Sequence, residues 1–142
     1  MAYMNQERKA KISAMLKPVL KKYGVKGTLR VDNHSTITLN IKEGSVDFIQ
    51  NYIETDRNKP YAKYMSEDQV EYITEKQYLD VNPYWYHDHF SGIAKSFLKE
   101  AMDALKGAGW YDRSDAMTDY FDTAYYVGIS IGQWKKPYQV VK

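Results

Sequence analysis

Residues 28–41, TLRVDNHSTITLNI, decide the fold of this chain. Apolar side chains alternate with polar ones on both sides of the centre of this stretch, at Leu29, Val31, Ile37, Leu39 and Ile41. Strict alternation is typical of strands with one buried face, because successive side chains point to opposite faces of a sheet. The central Asp-Asn-His-Ser favours a turn. The stretch therefore predicts an antiparallel hairpin with one apolar and one polar face.

The residues before the hairpin, Asn5 to Tyr23, predict an amphipathic helix. Apolar residues recur there at the spacing of one helical face, at Ile12, Met15, Leu16, Val19, Leu20 and Tyr23. Gly24 is a suitable C-terminal cap. Pro18 lacks the N–H that would bond to the carbonyl of Ala14, so we expect it to kink or split the helix.

Three shorter elements are predicted after the hairpin. Ser45 is expected to cap a helix that buries Val46, Ile49, Tyr52 and Ile53. Ser66 and Gln69 form a capping-box pattern, which predicts a helix over 67–76. Residues 78–81 predict a short strand.

A long helix and a last strand complete the prediction. Asn82 and Pro83 are typical of a helix start, and the apolar face that follows comprises Phe90, Ile93, Phe97, Leu98, Ala101, Met102 and Leu105. The helix is expected to end near Gly107 or Gly109. Residues 124–132 predict a strand with Tyr125, Val127, Ile129 and Ile131 on one face.

These elements predict an α+β fold in a single globular domain over residues 1–142. Its sheet is expected to be mainly antiparallel, with three to four strands and with helices packed on one face. The expected core includes Ile37, Leu39, Phe97, Ile129 and Ile131.

Composition excludes several classes of site. The chain has no cysteine, so disulfides, thiolate metal sites and cysteine nucleophiles are absent. No apolar run approaches the ~20 residues that span a bilayer, and Met1 to Lys11 lacks the apolar region of a signal peptide. We therefore expect a cytoplasmic protein without a membrane partner.

The formal net charge of +2 hides an uneven distribution. Residues 1–30 carry eight basic side chains and one acid, whereas residues 65–125 carry twelve acids and five bases. Fourteen tyrosines suit part-buried and interface positions. The distribution fits a basic or an acidic partner-binding face, or two solvated faces.

Two stretches resemble small uncharacterised proteins of phages and plasmids: residues 16–46, LKPVLKKYGVKGTLRVDNHSTITLNIKEGSV, and residues 111–138, YDRSDAMTDYFDTAYYVGISIGQWKKPY. The first is similar to the large polyvalent protein-associated domains of mobile elements. The resemblance implies an accessory role on a mobile element, in the cytoplasm of the host cell. It supplies no catalytic residues.

A cluster of aspartates is the first candidate site. Asp112, Asp115, Asp119 and Asp122 recur at spacings that place them on one helical face, with Tyr120 among them. Like charges so spaced repel, so a basic partner protein, a cation or a spread-out loop is expected to relieve the repulsion. Aromatic anchors with a carboxylate rim favour a protein interface.

The basic first helix is the second candidate. Lys17, Lys21, Lys22 and Arg30 are the residues expected to contact phosphates if the ligand is nucleic acid. No nucleic-acid-binding motif accompanies them.

Catalysis and metal binding are disfavoured. His87 and His89 carry metal-ligand chemistry, but residues two apart on a helix point in nearly opposite directions, so packing is the expected role of this pair. Ser35 beside His34 is adjacent only in sequence, and no phosphate-binding loop is present. We therefore expect no catalytic residue, no metal and no cofactor.

The favoured hypothesis is a non-enzymatic accessory protein of a phage or mobile element that binds a protein with a basic surface. Its expected effect is to inhibit a host defence complex, as anti-CRISPR proteins do. A nucleic-acid-binding protein that uses the basic helix is one alternative. A metal-dependent hydrolase or nuclease that uses the aspartates is the other.

Overall fold

The computed structural model describes residues 3–57, 66–83, 86–111, 124–133 and 136–141. The helices in these ranges are α1 (Gln6–Tyr23), α2 (Phe48–Arg57), α3 (Glu67–Lys76), α4 (Tyr86–His89) and α5 (Gly92–Leu105). The strands are β1 (Val25–Asp32), β2 (Thr36–Gly44), β3 (Leu79–Val81), β4 (Tyr126–Ile131) and β5 (Gln139–Val140).

The strands form one mixed sheet in the order β1-β2-β4-β3, and β5 pairs with the end of β2. The β1–β2 and β3–β4 pairs are antiparallel, whereas β4 and β5 both run parallel to β2. The predicted α+β class is confirmed, with a mostly antiparallel sheet and helices packed on it. Neither β5 nor the parallel central pair was predicted from the sequence.

The hairpin forms as predicted. Asn33 and His34 both have positive φ, 52° and 56°, and the backbone N–H of Ser35 donates to the carbonyl of Asp32 at 3.1 Å. Two consecutive left-handed residues match the right-handed twist of the flanking strands. Asparagine tolerates this conformation better than most residues do.

Helix α1 is one continuous element through Pro18, so the proline does not split it. Asn5 caps its start by accepting from the N–H of Arg8 at 2.8 Å. Gly24 ends the helix at φ 65°, as predicted. The capping box of Ser66 and Gln69 is also present at the start of α3.

Two predicted helix starts are wrong. Ser45 does not cap α2: its hydroxyl donates to the Tyr23 carbonyl at 2.9 Å, while Asp47 accepts from the N–H of Gln50 at 3.0 Å. The predicted long helix is two helices, α4 and α5, because Gly92 adopts a left-handed φ of 58°. The apolar periodicity did not reveal this break.

The core lies between the sheet and the helices. Ile37, Leu39, Phe97, Ile129 and Ile131 are all at most 2% exposed, as predicted. The ring of Phe97 contacts the rings of Phe48 and Tyr23, each with centroids 5.4 Å apart. Ile93 was expected in this core but is 60% exposed, because it follows the break before α5. In the described ranges, no helix is long and apolar enough to cross a membrane.

Candidate functional site on the polar sheet face

The predicted protein-binding residues Asp112, Asp115, Asp119, Tyr120 and Asp122 lie outside the described residues. The proposed aspartate interface therefore stays a prediction, as does the hydrolase alternative that would use the same carboxylates.

The structure does not bring the predicted nucleic-acid-binding residues to one surface. Lys17 and Lys21 are exposed on α1, and α1 buries its apolar side against the core face of the sheet. Arg30 lies on the opposite face, since its neighbours Leu29 and Val31 pack against the core.

Lys22 is already engaged within the chain. Its ammonium lies 3.0 Å from a carboxylate oxygen of Glu100, and the hydroxyl of Tyr23 donates to the other oxygen. The hydrogen bond from Tyr23, then that from Lys22, lowers the pKa of Glu100. The hydrogen bond to Glu100 raises the pKa of Lys22.

The two histidines of α4 pack against aromatic rings. The ring of His89 lies edge-on to Tyr52 at 5.7 Å, and that of His87 lies edge-on to Tyr86 at 5.6 Å. Within the described part of the chain, no three histidine or acidic side chains are placed to hold a metal ion.

The polar face of the sheet contains a cavity that is lined by residues of four strands. Strand register sets its side chains in rows that cross the sheet. Thr28, Asn40, Ser130 and Asp80 form one row across β1, β2, β4 and β3. Arg30, Thr38 and Gly128 form the next row. All of these residues except Thr28 line a cavity of about 520 Å³, together with Tyr78, Val81, Ile129 and Gln133. We call it the sheet groove.

Asn40 lies at the bottom of the sheet groove. It is only 4% exposed, yet its side-chain amide has no hydrogen-bond partner within the described structure. No side-chain polar atom in the described ranges is fully enclosed without a partner, so the amide of Asn40 opens to the groove. A buried amide in this state leaves hydrogen-bonding capacity for a ligand.

Gly128 forms part of the floor. Its φ is not positive, so its backbone does not require glycine. A Cβ atom built there would meet only the side chain of Thr38, at 3.5 and 3.9 Å, which is ordinary contact. A glycine inside a strand weakens it, and here neither conformation nor packing explains it. The missing side chain does keep the groove open.

Charged groups stand at the two sides of the groove. The Nε–H of Arg30 donates to Asp32 at 3.0 Å, and the hydroxyl of Tyr78 donates to Asp80 at 3.2 Å. Burial raises the pKa of Tyr78, and the charge of Asp80 raises it further, while the nearby cation of Arg30 opposes the rise. Tyr78 therefore stays a protonated donor at neutral pH.

The polar groups of the groove suit binding better than nucleophilic attack. The hydroxyl of Ser130 donates to the carbonyl of Gly132 at 2.8 Å, so its proton is held by a backbone acceptor. No histidine lines the groove. What remains is a set of amide, hydroxyl, guanidinium and carboxylate groups that can orient a ligand.

A second cavity of about 380 Å³ adjoins the first. It is lined by Asn40, Ile41, Lys42, Glu43, Gly132, Gln133, Lys136, Pro137 and Gln139. Asn40 and Gln133 line both cavities, so the two cavities adjoin at these two amides.

The sequence analysis placed Thr28, Asn40, Gly128 and Ser130 on polar strand faces but did not identify them as a site. Solvated strand faces carry the same short polar residues. The one available signal was Gly128 within an otherwise β-favouring strand. Comparisons with protein families, curated proteins and solved structures found no match to this chain.

Proposed function

We propose that this protein acts by binding rather than by catalysis, and that the sheet groove receives its ligand. The observation that carries the proposal is Asn40, a nearly buried amide without a partner among the described residues, at the bottom of an open groove. Leaving a buried amide unpaired costs about 1–3 kcal/mol. The amide of Asn40 opens to the groove, so it bears only part of this cost, and a ligand that pairs with it recovers that part on binding.

Gly128 supports the proposal independently. Its absent side chain weakens β4 by about 0.5–1 kcal/mol relative to alanine. Asn40 and Gly128 thus both lower the stability of the fold. Asn40 keeps the groove polar, and Gly128 keeps it open. Residues at functional sites often lower the stability of the folded state.

An accessory role on a phage or mobile element, in the host cytoplasm and with a host defence complex as target, remains the wider proposal. It is supported by the resemblance of residues 16–46 and 111–138. A binding protein fits that role. The acidic segment 112–122 is proposed as a second contact, with a basic partner surface.

The test compares ligand-induced thermal stabilisation of the wild type with that of Asn40→Leu and Gly128→Val. The panel contains amino acids, nucleosides, sugars, random peptide pools and random single-stranded oligonucleotides. At least one class should raise the melting temperature of the wild type and leave both variants unchanged. Thr36→Val is the matched control, because Thr36 lies on the same face of β2 but does not line the groove. A wild type that responds to no class, or variants that respond equally, would exclude the groove as the site.

A further inference from the structure

The two joined cavities have the shape of a site for an extended ligand. The sheet groove crosses the sheet from Arg30 on β1 to Asp80 on β3, which is three strand spacings, or about 14 Å. An extended peptide advances about 3.3–3.6 Å per residue, so about four residues would cross it. The second cavity branches from this path at Asn40 and follows β2 toward Glu43.

The junction of the cavities presents amide chemistry. Asn40 and Gln133 each offer a side-chain N–H donor and a carbonyl acceptor. Within the described structure neither side-chain amide has a hydrogen-bond partner. A primary amide complements the N–H and C=O groups that an extended peptide backbone exposes. Two such amides at one junction can therefore bind a main chain whatever its side chains.

Among the described residues that line the two cavities, the charges balance. The charged lining residues are Arg30, Lys42, Lys136, Asp80 and Glu43, and Asp32 neutralises Arg30 from beside the groove. A site for a nucleic-acid backbone would need an excess of cations and aromatic rings for base stacking. The described lining residues have no such excess of cations, and Tyr78 is the one aromatic ring among them. Pro137 gives the second cavity an apolar part, which suits a peptide side chain.

We infer, on the basis of the proposed function, that the ligand is an extended peptide segment of a partner protein. Its main-chain amides pair with the side chains of Asn40 and Gln133, and one of its apolar side chains enters the second cavity beside Pro137. Recognition of the main chain fixes the peptide in the groove, while the charged residues at its sides select among sequences.

A displayed library of random twelve-residue peptides tests this inference. Peptides are selected on the immobilised wild type and counter-selected on Gly128→Val. The enriched peptides should share a motif of about four residues. By fluorescence anisotropy, Asn40→Leu and Gln133→Leu should each weaken binding by at least about tenfold, as expected for a lost hydrogen bond. Thr36→Val should leave affinity unchanged.

The decisive measurement uses synthetic peptides methylated at single backbone nitrogens within the motif. Methylation at one or two positions should reduce affinity at least about tenfold, because it removes the N–H that pairs with a side-chain amide. If affinity is unchanged by methylation at every position, the inference is wrong. It is also wrong if the selected peptides share no motif.

Labelled random oligonucleotides and the small molecules of the panel are tested against the same variants. If one of those classes binds and depends on Asn40 and Gly128, the peptide inference is wrong and the proposed function stands. If no class distinguishes the wild type from the variants, both are wrong.

Discussion

Replacing Asn40 by leucine is expected to raise the free energy of unfolding. The substitution removes a nearly buried amide that has no partner among the described residues and puts an apolar side chain of similar shape in its place. An unpaired buried amide costs about 1–3 kcal/mol, and the slight solvent contact of Asn40 places it in the lower part of that range. We expect a gain of about 1–2 kcal/mol. For a chain of this length the melting temperature should rise by about 3–8 °C.

The assay is equilibrium urea denaturation followed by far-UV circular dichroism. Ser130→Ala is the matched comparison, because Ser130 lies beside Asn40 in the same row and is also buried. Its hydroxyl does have a partner, the carbonyl of Gly132, so its removal should lower stability by about 1 kcal/mol. A loss of 1 kcal/mol or more in Asn40→Leu would show that Asn40 is structural and would refute the argument from its unpaired state.

Three further predictions concern the rest of the chain. Phe97→Ala should lower the free energy of unfolding by about 3–5 kcal/mol, because it empties the centre of the core; a smaller loss in urea denaturation would contradict the core described. The pKa of Glu100 is lowered in the folded protein. Its contribution to stability is therefore present above the unfolded-state pKa of about 4.3, and it is lost as the pH falls through the folded-state pKa. Glu100→Gln should therefore flatten the decline of melting temperature in acid, and an unchanged decline would disprove its role. If nucleic acid binds the first helix, Lys17→Glu with Lys21→Glu should abolish a binding that weakens steeply with salt; filter binding that ignores salt would exclude this alternative.

Local patterns in the sequence predicted most of the fold. The hairpin, the cap at Gly24 and the capping box at Ser66 depend on residues within a few positions of each other, so propensity and periodicity were enough to find them. The break before α5 was missed because the apolar periodicity continues across Gly92, whereas the left-handed backbone there starts a new helix. The cap at Asp47 was missed because Ser45 is equally suited by type and is held instead by the Tyr23 carbonyl.

The site could not be predicted from the sequence because it depends on strand pairing. Asn40 looks like a solvated position in an alternating strand. It becomes recessed only when Ser130 of β4 and Thr28 of β1 are placed on either side of it. These partners lie 90 and 12 positions away in the chain, and no local rule pairs the distant one. Gly128 is the residue of β4 that could have indicated a site from the sequence alone.

The groove depends on the register of the parallel pair that β2 and β4 form. β4 lies beside β2 so that Gly128 faces Thr38 and Ser130 faces Asn40. A shift of β4 by one residue would turn Val127 and Ile129 toward the groove, because side chains alternate between the faces of a strand. The same shift would remove Ile129 and Ile131 from the core, where both are at most 2% exposed. The burial of these isoleucines therefore fixes the register, and the register places Gly128 and Ser130 on the opposite face. Substitutions on the groove face can change binding without disturbing the fold, since the residues that set the register all point the other way.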